Sequence, residues 1–168
     1  DVFEVSKAAS GELALRLERL DLNKLLRQTL ADMDEAVRES GLTFRVRLPD
    51  YPVWLMADGD RLYRVFQNLI QNALQYSLEG SRVYLTLASG AGKARVAVKN
   101  TSRSELPAGV DFTERFTRGD KSRTDGGSGL GLAIASSFAA ACGGTLQVET
   151  DADLFTVEVS FPVLPPEA

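Results

Sequence analysis

Histidine is missing from the sequence altogether, and cysteine occurs only once, as Cys142. Without histidine the chain contains no Ser-His catalytic pair, no histidine metal ligand and no histidine that accepts phosphate. A single cysteine excludes an intrachain disulfide and is typical of a reducing compartment. Cys142 lies at the end of an apolar helical segment, so we expect it to be a core residue. No apolar run approaches the roughly 18 residues of a membrane-spanning helix, so we expect any membrane anchor to lie outside this sequence.

The 168 residues suit one domain, and 44% apolar residues are enough for its core. The net charge of −4 argues against nucleic acid as the main partner. Alternating apolar residues predict strands at 12–18, 42–48, 53–57, 82–88, 93–99, 145–150 and 154–161. We expect 82–88 and 93–99 to pair as one hairpin, and 145–150 and 154–161 as another. Helical spacing predicts helices at 22–41, from Asp58 or Asp60 to about residue 79, and from about Leu130.

This order of elements predicts an α+β fold, a two-layer α/β sandwich. Its sheet is mixed and mostly antiparallel, with three main helices on one face. A polar loop is expected at 100–110, and a short helical piece at 112–118. We expect the domain itself to span 12–164, with 1–11 as the end of a preceding helix or a linker and 165–168 as a tail.

A glycine-rich segment precedes the last predicted helix. Its glycines lack a Cβ and let backbone N–H groups approach a ligand closely; they are Gly126, Gly127, Gly129 and Gly131. Basic residues lie just upstream, namely Arg115, Arg118, Lys121 and Arg123. Together with the positive end of the helix dipole they predict a phosphate site. The alternative is a glycine-rich hairpin loop ahead of a buried helix. Neither the GxxxxGK[ST] loop nor the Rossmann pattern fits this segment.

Three amides share one stripe of the 58–79 helix. Asn68, Asn72 and Gln75 follow one another at i, i+4 and i+7, and Tyr76 is adjacent. Asparagine is a mediocre helix former, so two at this spacing point to a function. An amide oxygen is a neutral, hard ligand that suits Mg²⁺. The alternative is a polar rim whose amides bond to the backbone.

Three motifs of the sequence resemble those of sensor histidine kinases. RVFQNLIQNALQYS at Arg64–Ser77 resembles their asparagine box, and FTERFTRGDKSR at Phe112–Arg123 resembles their phenylalanine box and lid. GGSGLGLAIA at Gly126–Ala135 is similar to their second glycine box. The leader at 6–22 resembles the joint between their phospho-acceptor helices and the ATP-binding domain.

The resemblance implies the Bergerat ATP-binding fold of gyrase, heat-shock chaperone and mismatch-repair ATPases. It implies ATP and Mg²⁺ as cofactors, and transfer of the γ-phosphate to a histidine on a separate helical domain, then to a response regulator. The partners expected are therefore the protein's own dimerisation domain and that regulator. The location expected is cytoplasmic, within a membrane-anchored bacterial protein that is a homodimer, whereas this fragment is expected to be soluble and monomeric.

The resemblance also implies individual site residues. Those implied to bind ATP are Asn68, Asn72, Gln75, Tyr76, Asn100, Arg118, Lys121, Arg123, Gly127, Ser128, Gly129, Leu130, Gly131 and Leu132. Asn72 matches the Mg²⁺ ligand of the family. No catalytic residue is expected in this fragment, because the family's reacting histidine and its acidic neighbour belong to the other domain.

The sequence departs from the family pattern at two places. Asn100 stands where the family has an adenine-binding Asp, and both glycines of the first glycine box are replaced in the segment 100–104. An amide in place of a carboxylate should cost on the order of 1 kcal/mol of binding free energy. Gln75 stands where the family often has a basic residue, and we expect Lys121 or Arg123 to compensate.

Two other functions remain open at this stage. The altered first glycine box is also typical of a degenerate, nucleotide-poor module that only scaffolds its partner domain. An ATP-hydrolysing relative of the gyrase and chaperone type would need a glutamate on the asparagine helix. Gln67 and Gln71 occupy the candidate positions, so hydrolysis is disfavoured as the main activity.

Overall fold

The computed structural model describes residues 14–104 and 131–165. In chain order their elements are β1 (Glu18–Asp21), α1 (Leu22–Asp32), α2 (Asp34–Ser40), β2 (Thr43–Arg47), β3 (Trp54–Ala57), α3 (Gly59–Tyr76), β4 (Arg82–Gly90), β5 (Lys93–Thr101), α4 (Gly131–Ala141), β6 (Thr145–Asp151) and β7 (Leu154–Pro162).

Within the described ranges, the main sheet has five strands in the order β2-β4-β5-β7-β6. Only β2 and β4 pair in parallel, and the other neighbours pair antiparallel. A second, two-stranded sheet joins β1 and β3 antiparallel. The prediction of a mixed and mostly antiparallel sheet is therefore confirmed.

One face of the main sheet forms the core together with three helices. Alternate residues of the central strands are buried, as the two-residue period of a strand requires; on β5 they are Ala94, Val96, Val98 and Asn100. These apolar residues belong to one cluster with buried side chains of α1, α3 and α4, such as Leu26, Phe66 and Phe138. The opposite face is open, and Tyr84 on it is 41% exposed. The two-layer sandwich is confirmed.

Helix α3 begins where the sequence offers a capping carboxylate. Oδ1 of Asp58 accepts hydrogen bonds from the backbone N–H groups of Asp60 and Arg61, at 3.1 and 3.2 Å. The helix ends at Tyr76, three residues before the predicted end, because Ser77 turns into extended backbone. Ser77 then forms an isolated antiparallel bridge with Ser102. Pairing with the end of β5 thus ends the helix.

Two predicted hairpins are confirmed, and their strands are longer than expected. β4 and β5 meet at Ala91 and Gly92, both with positive φ (54° and 77°), which matches the right-handed twist of the strands. β6 and β7 meet at a similar turn, where Ala152 has φ 53°. Because β5 extends to Thr101, Asn100 lies within a strand and the predicted loop at 100–110 begins too early.

Two predicted elements are wrong in their bounds. The strand predicted at 12–18 is observed as β1, Glu18–Asp21, and Leu17 is 54% exposed. Its partner β3 has only four residues, all paired with Glu18–Asp21, so Leu15 and Leu17 lie outside the strand. The helix predicted at 22–41 is broken at Met33, where φ is −100° and ψ is 7°. The apolar spacing continues across this break, which hides it in the sequence.

Helix α4 contributes small and apolar side chains to the core. Ala135, Phe138 and Ala139 are fully buried. Cys142 follows the helix and is 7% exposed, which confirms it as a core residue. In the described part of the chain, no helix is long and apolar enough to cross a membrane.

Candidate functional site

The asparagine stripe of α3 meets the beginning of α4. A Cβ built on Gly131 would lie 4.0 Å from Oδ1 of Asn68, so the two residues face each other. The first residues of a helix carry N–H groups without intrahelical partners and the positive end of its dipole. The structure therefore brings the predicted Asn68 to an end of α4 that attracts anions.

One amide of the stripe has an unsatisfied donor. Nδ2 of Asn68 is inaccessible to solvent and has no hydrogen-bond partner among the described residues. A buried donor without a partner costs about 1–3 kcal/mol, so such groups are uncommon in folded proteins. A ligand that accepts a hydrogen bond would remove this cost.

The other residues of the stripe lie at the border between core and solvent. Asn72, Gln75 and Tyr76 are half-buried. Leu132, which follows Gly131, is 1% exposed and packs in the core beneath the beginning of α4. Asn72 and Gln75 thus lie partly exposed along one side of α3, while the adjacent apolar stripe is buried.

The far end of the stripe is joined to the end of β5. The N–H of Leu78 donates to the carbonyl of Thr101 at 2.8 Å, and the N–H of Arg103 donates to the carbonyl of Tyr76 at 3.1 Å. Asn100 lies just before this junction and is 2% exposed, on the face of β5 that covers the helices. It pairs with Val83 and Phe155 in the two neighbouring strands. The structure thus brings Asn100 and Tyr76 to the same end of the site.

Arg103 is a residue of this region that the sequence did not single out. Nη2 of its guanidinium donates to the carbonyl oxygen of Gln75, in the last turn of α3. The carbonyl groups of the last turn lie at the negative end of the helix dipole, so a cation is favourable there. The signal in the sequence was an arginine inside the altered first glycine box, 28 residues away from Gln75.

Half of the predicted ATP-binding residues lie outside the described ranges. These are Arg118, Lys121, Arg123, Gly127, Ser128, Gly129 and Leu130. The predicted helical piece at 112–118 lies outside as well.

The described residues fit an Mg²⁺-bound nucleoside triphosphate. The unsatisfied donor of Asn68 suits a phosphate oxygen, and the beginning of α4 at Gly131 suits negative charge. The side chain of Asn72 lies on the same stripe, four residues further along α3, and offers an oxygen of the kind that Mg²⁺ prefers.

Comparison with known proteins identifies the family. Residues 57–165, well over half of the chain, match the family described as histidine kinase-, DNA gyrase B- and HSP90-like ATPase. The chain belongs to this ATPase family. The matched range contains the whole of α3, the five-stranded sheet from β4 onward, and α4.

Curated relatives of the chain are sensor kinases. It is 32% identical over 153 residues to the signal transduction histidine-protein kinase BaeS of Escherichia coli, which covers 87% of this chain and 32% of BaeS. It is 28% identical over 167 residues to the sensor protein VanS of Enterococcus faecium, which covers 98% of this chain and 43% of VanS. The chain therefore spans less than half the length of these relatives.

Solved structures show the same fold. The full-length histidine kinase ShkA in complex with AMPPNP is 26% identical, with a TM-score of 0.77 over 99% of this chain and 35% of ShkA. The catalytic domain of histidine kinase ThkA, in a nucleotide-free form, is 24% identical, with a TM-score of 0.77 over 88% of this chain and 96% of that domain. An ATPase domain of the sensor histidine kinase type is thereby confirmed, and with it the predicted fold.

Proposed function

We propose that this domain binds Mg-ATP and presents the γ-phosphate to a histidine on a separate helical domain of the same protein. The observation that carries the proposal is Asn68: its Nδ2 is buried without a hydrogen-bond partner among the described residues, and its Oδ1 faces the beginning of α4 at Gly131. It marks a place where the fold lacks a hydrogen-bond acceptor that a phosphate supplies. The AMPPNP complex of ShkA supports the same class of ligand.

One end of the site binds the phosphates and the metal ion, and the other end binds the nucleoside. Asn68 and the N–H groups at the beginning of α4 bind phosphate oxygens, and Asn72 holds the metal ion. Bound Mg²⁺ supplies neutralisation of charge on the phosphates. Asn100 and Tyr76, at the junction of β5 and α3, bind the nucleoside end. The fixed donors at the phosphate end, Asn68 and the N–H groups of α4, stabilise charge that develops on the transferring phosphoryl group.

The absence of histidine from the sequence requires that the acceptor lies elsewhere. In the reaction the bond between the γ-phosphorus and the bridging oxygen of ATP breaks, and a bond from phosphorus to an imidazole nitrogen forms. ADP leaves with the electron pair of the broken bond, and the imidazole loses its N–H proton to water. We propose that a response regulator then takes the phosphoryl group, and that the cation and glycine positions outside the described ranges complete the site.

Asn100 favours a second candidate function, a scaffold module that binds nucleotide poorly. A neutral amide replaces the carboxylate of the family pattern, and Ser102 and Ser104 replace its glycines. Such a module would still fold and dock on its helical partner domain. It would not retain millimolar or tighter affinity for ATP.

Calorimetric titration with a non-hydrolysable ATP analogue, with and without Mg²⁺, separates the two functions. We expect binding that requires Mg²⁺ and weakens at least about tenfold in Asn72→Ala, which is a loss of about 1.4 kcal/mol. Gln71→Ala is the matched control, because Gln71 neighbours Asn72 on α3 and is exposed. Absence of binding at millimolar nucleotide would refute the kinase proposal and favour the scaffold.

A further inference from the structure

The nucleoside end of the site has an unusual set of hydrogen-bonding groups. Asn100 is 2% exposed and is the one polar residue on a buried face of β5 that otherwise carries Ala94, Val96 and Val98. An amide there is not needed for packing, which apolar side chains achieve in the same row. Its conspicuous property is that it both donates and accepts hydrogen bonds.

The direction of a bound nucleotide follows from the geometry of α3. Anions are favoured at Gly131, beside Asn68. Tyr76 lies eight residues further along the helix, which corresponds to about 12 Å along its axis. A triphosphate with its terminal phosphates near Gly131 therefore extends its base toward Tyr76 and Asn100.

Arg103 adds only donors to this end. Its guanidinium donates to the carbonyl of Gln75. A guanidinium group contains hydrogen-bond donors and no acceptor atom. Adenine carries an amino group at position 6, which needs an acceptor, whereas guanine and hypoxanthine carry a carbonyl there, which needs a donor. Asn100 satisfies either group by presenting its oxygen or its nitrogen.

We propose that this site binds purine nucleoside triphosphates with a 6-oxo group, GTP and ITP, with an affinity close to that for ATP. The specificity rests on the proposed function, since it concerns the same site and the same Mg²⁺-bound triphosphate. A carboxylate at position 100 would only accept, so it would favour the 6-amino group of adenine and leave a 6-oxo group facing a negative charge. Asn100 removes that discrimination.

Displacement of a fluorescent trinitrophenyl ATP analogue from the whole chain tests this specificity. ATP, GTP and ITP are titrated as competitors in the presence of Mg²⁺. In the wild type we expect the dissociation constants of the three nucleotides to agree within about fivefold, roughly 1 kcal/mol. In Asn100→Asp we expect the ratio of GTP to ATP dissociation constants, and that of ITP to ATP, to rise at least about tenfold.

Thr101→Asp is the matched control, because Thr101 is the next residue of β5 and belongs to the opposite face of the sheet. It adds the same charge to the same strand, and its nucleotide ratios should equal those of the wild type. A rise in Thr101→Asp equal to that in Asn100→Asp would overturn the role of Asn100.

The wild-type ratios decide the question even if Asn100→Asp does not fold. ATP binding together with GTP and ITP binding more than about fivefold weaker would overturn the proposed specificity and leave the proposed function standing. Failure of all three nucleotides to displace the probe would refute both.

Discussion

Replacing Asn68 by leucine should stabilise the nucleotide-free domain and weaken nucleotide binding at the same time. Nδ2 of Asn68 is buried without a partner, and an unsatisfied donor costs about 1–3 kcal/mol. Leucine has a similar size, carries no polar atom and is a better helix former by a few tenths of a kcal/mol. We therefore expect the free energy of unfolding to rise by about 1–2 kcal/mol.

The same replacement removes a donor that the proposed function assigns to a phosphate oxygen. Hydrogen bonds to charged groups contribute about 1.5–3 kcal/mol, so the dissociation constant for Mg-ATP should rise about 10- to 150-fold. Opposite effects on stability and binding are typical of a group that is kept for its ligand.

Thermal unfolding without nucleotide measures the first effect, and calorimetric titration measures the second. For a domain of this size the expected rise in Tm is about 2–8 °C. Gln71→Leu is the matched control, because Gln71 is exposed on the same helix and gains the same helix propensity. A Tm for Asn68→Leu below that of Gln71→Leu, or an unchanged affinity for Mg-ATP, would refute the assignment of Asn68.

Three further predictions concern the fold around the site. A Cβ on Gly144 would lie 2.5 Å from the ring of Phe161, so Gly144→Ala should lower the free energy of unfolding by about 1–3 kcal/mol in urea denaturation. A Cβ on Gly90 would meet nothing within 4 Å, so Gly90→Ala should change the free energy of unfolding by less than about 0.5 kcal/mol. Equal losses of stability in the two variants would contradict the clash at Gly144. Burial, then the hydrogen bond to Asp32 and its negative charge, raise the pKa of Tyr63 above 10.0. Because the folded state favours the neutral phenol, this contribution is complete below pH 10 and is lost as the pH rises through the folded-state pKa. When the pH is raised above 10, the free energy of unfolding of Tyr63→Phe should therefore fall less than that of the wild type. Urea denaturation at several pH values measures both, and parallel dependences of the two on pH would argue against this contribution. Burial raises the pKa of the Cys142 thiol and keeps it from reagents. Ellman's reagent should therefore label Cys142 readily in urea, and in buffer only at the rate at which the domain unfolds. Rapid labelling of the folded domain would show that the thiol is accessible.

Local signals in the sequence predicted much of the fold. The spacing of the apolar residues predicts α3, because residues repeated at the helical period lie on one face of a helix, which can then be buried; they are Leu62, Val65, Phe66, Leu69 and Ile70. Asp58 marks its beginning by capping. Turn residues between alternating segments predict both hairpins. The amide stripe likewise follows from helix geometry alone, since residues four apart share a face.

Boundaries that depend on a distant partner were not predictable in this way. The length of β1 is set by the four residues of β3, and the end of α3 is set by the bridge between Ser77 and Ser102. The break at Met33 keeps the apolar spacing of a continuous helix, so no local signal marks it.

The sequence by itself determined which residue types are present: amides at a helical spacing, glycines before a helix, and no histidine to accept a phosphoryl group. The three-dimensional arrangement decided what each of them meets. Only packing of α4 against α3 places Gly131 beside Asn68 and leaves a buried donor without a partner. Only the end of β5 brings Arg103 to the carbonyl of Gln75. Hydrogen bonds and burial join residues far apart in the chain, and a pattern of local periodicity carries no information about such distances.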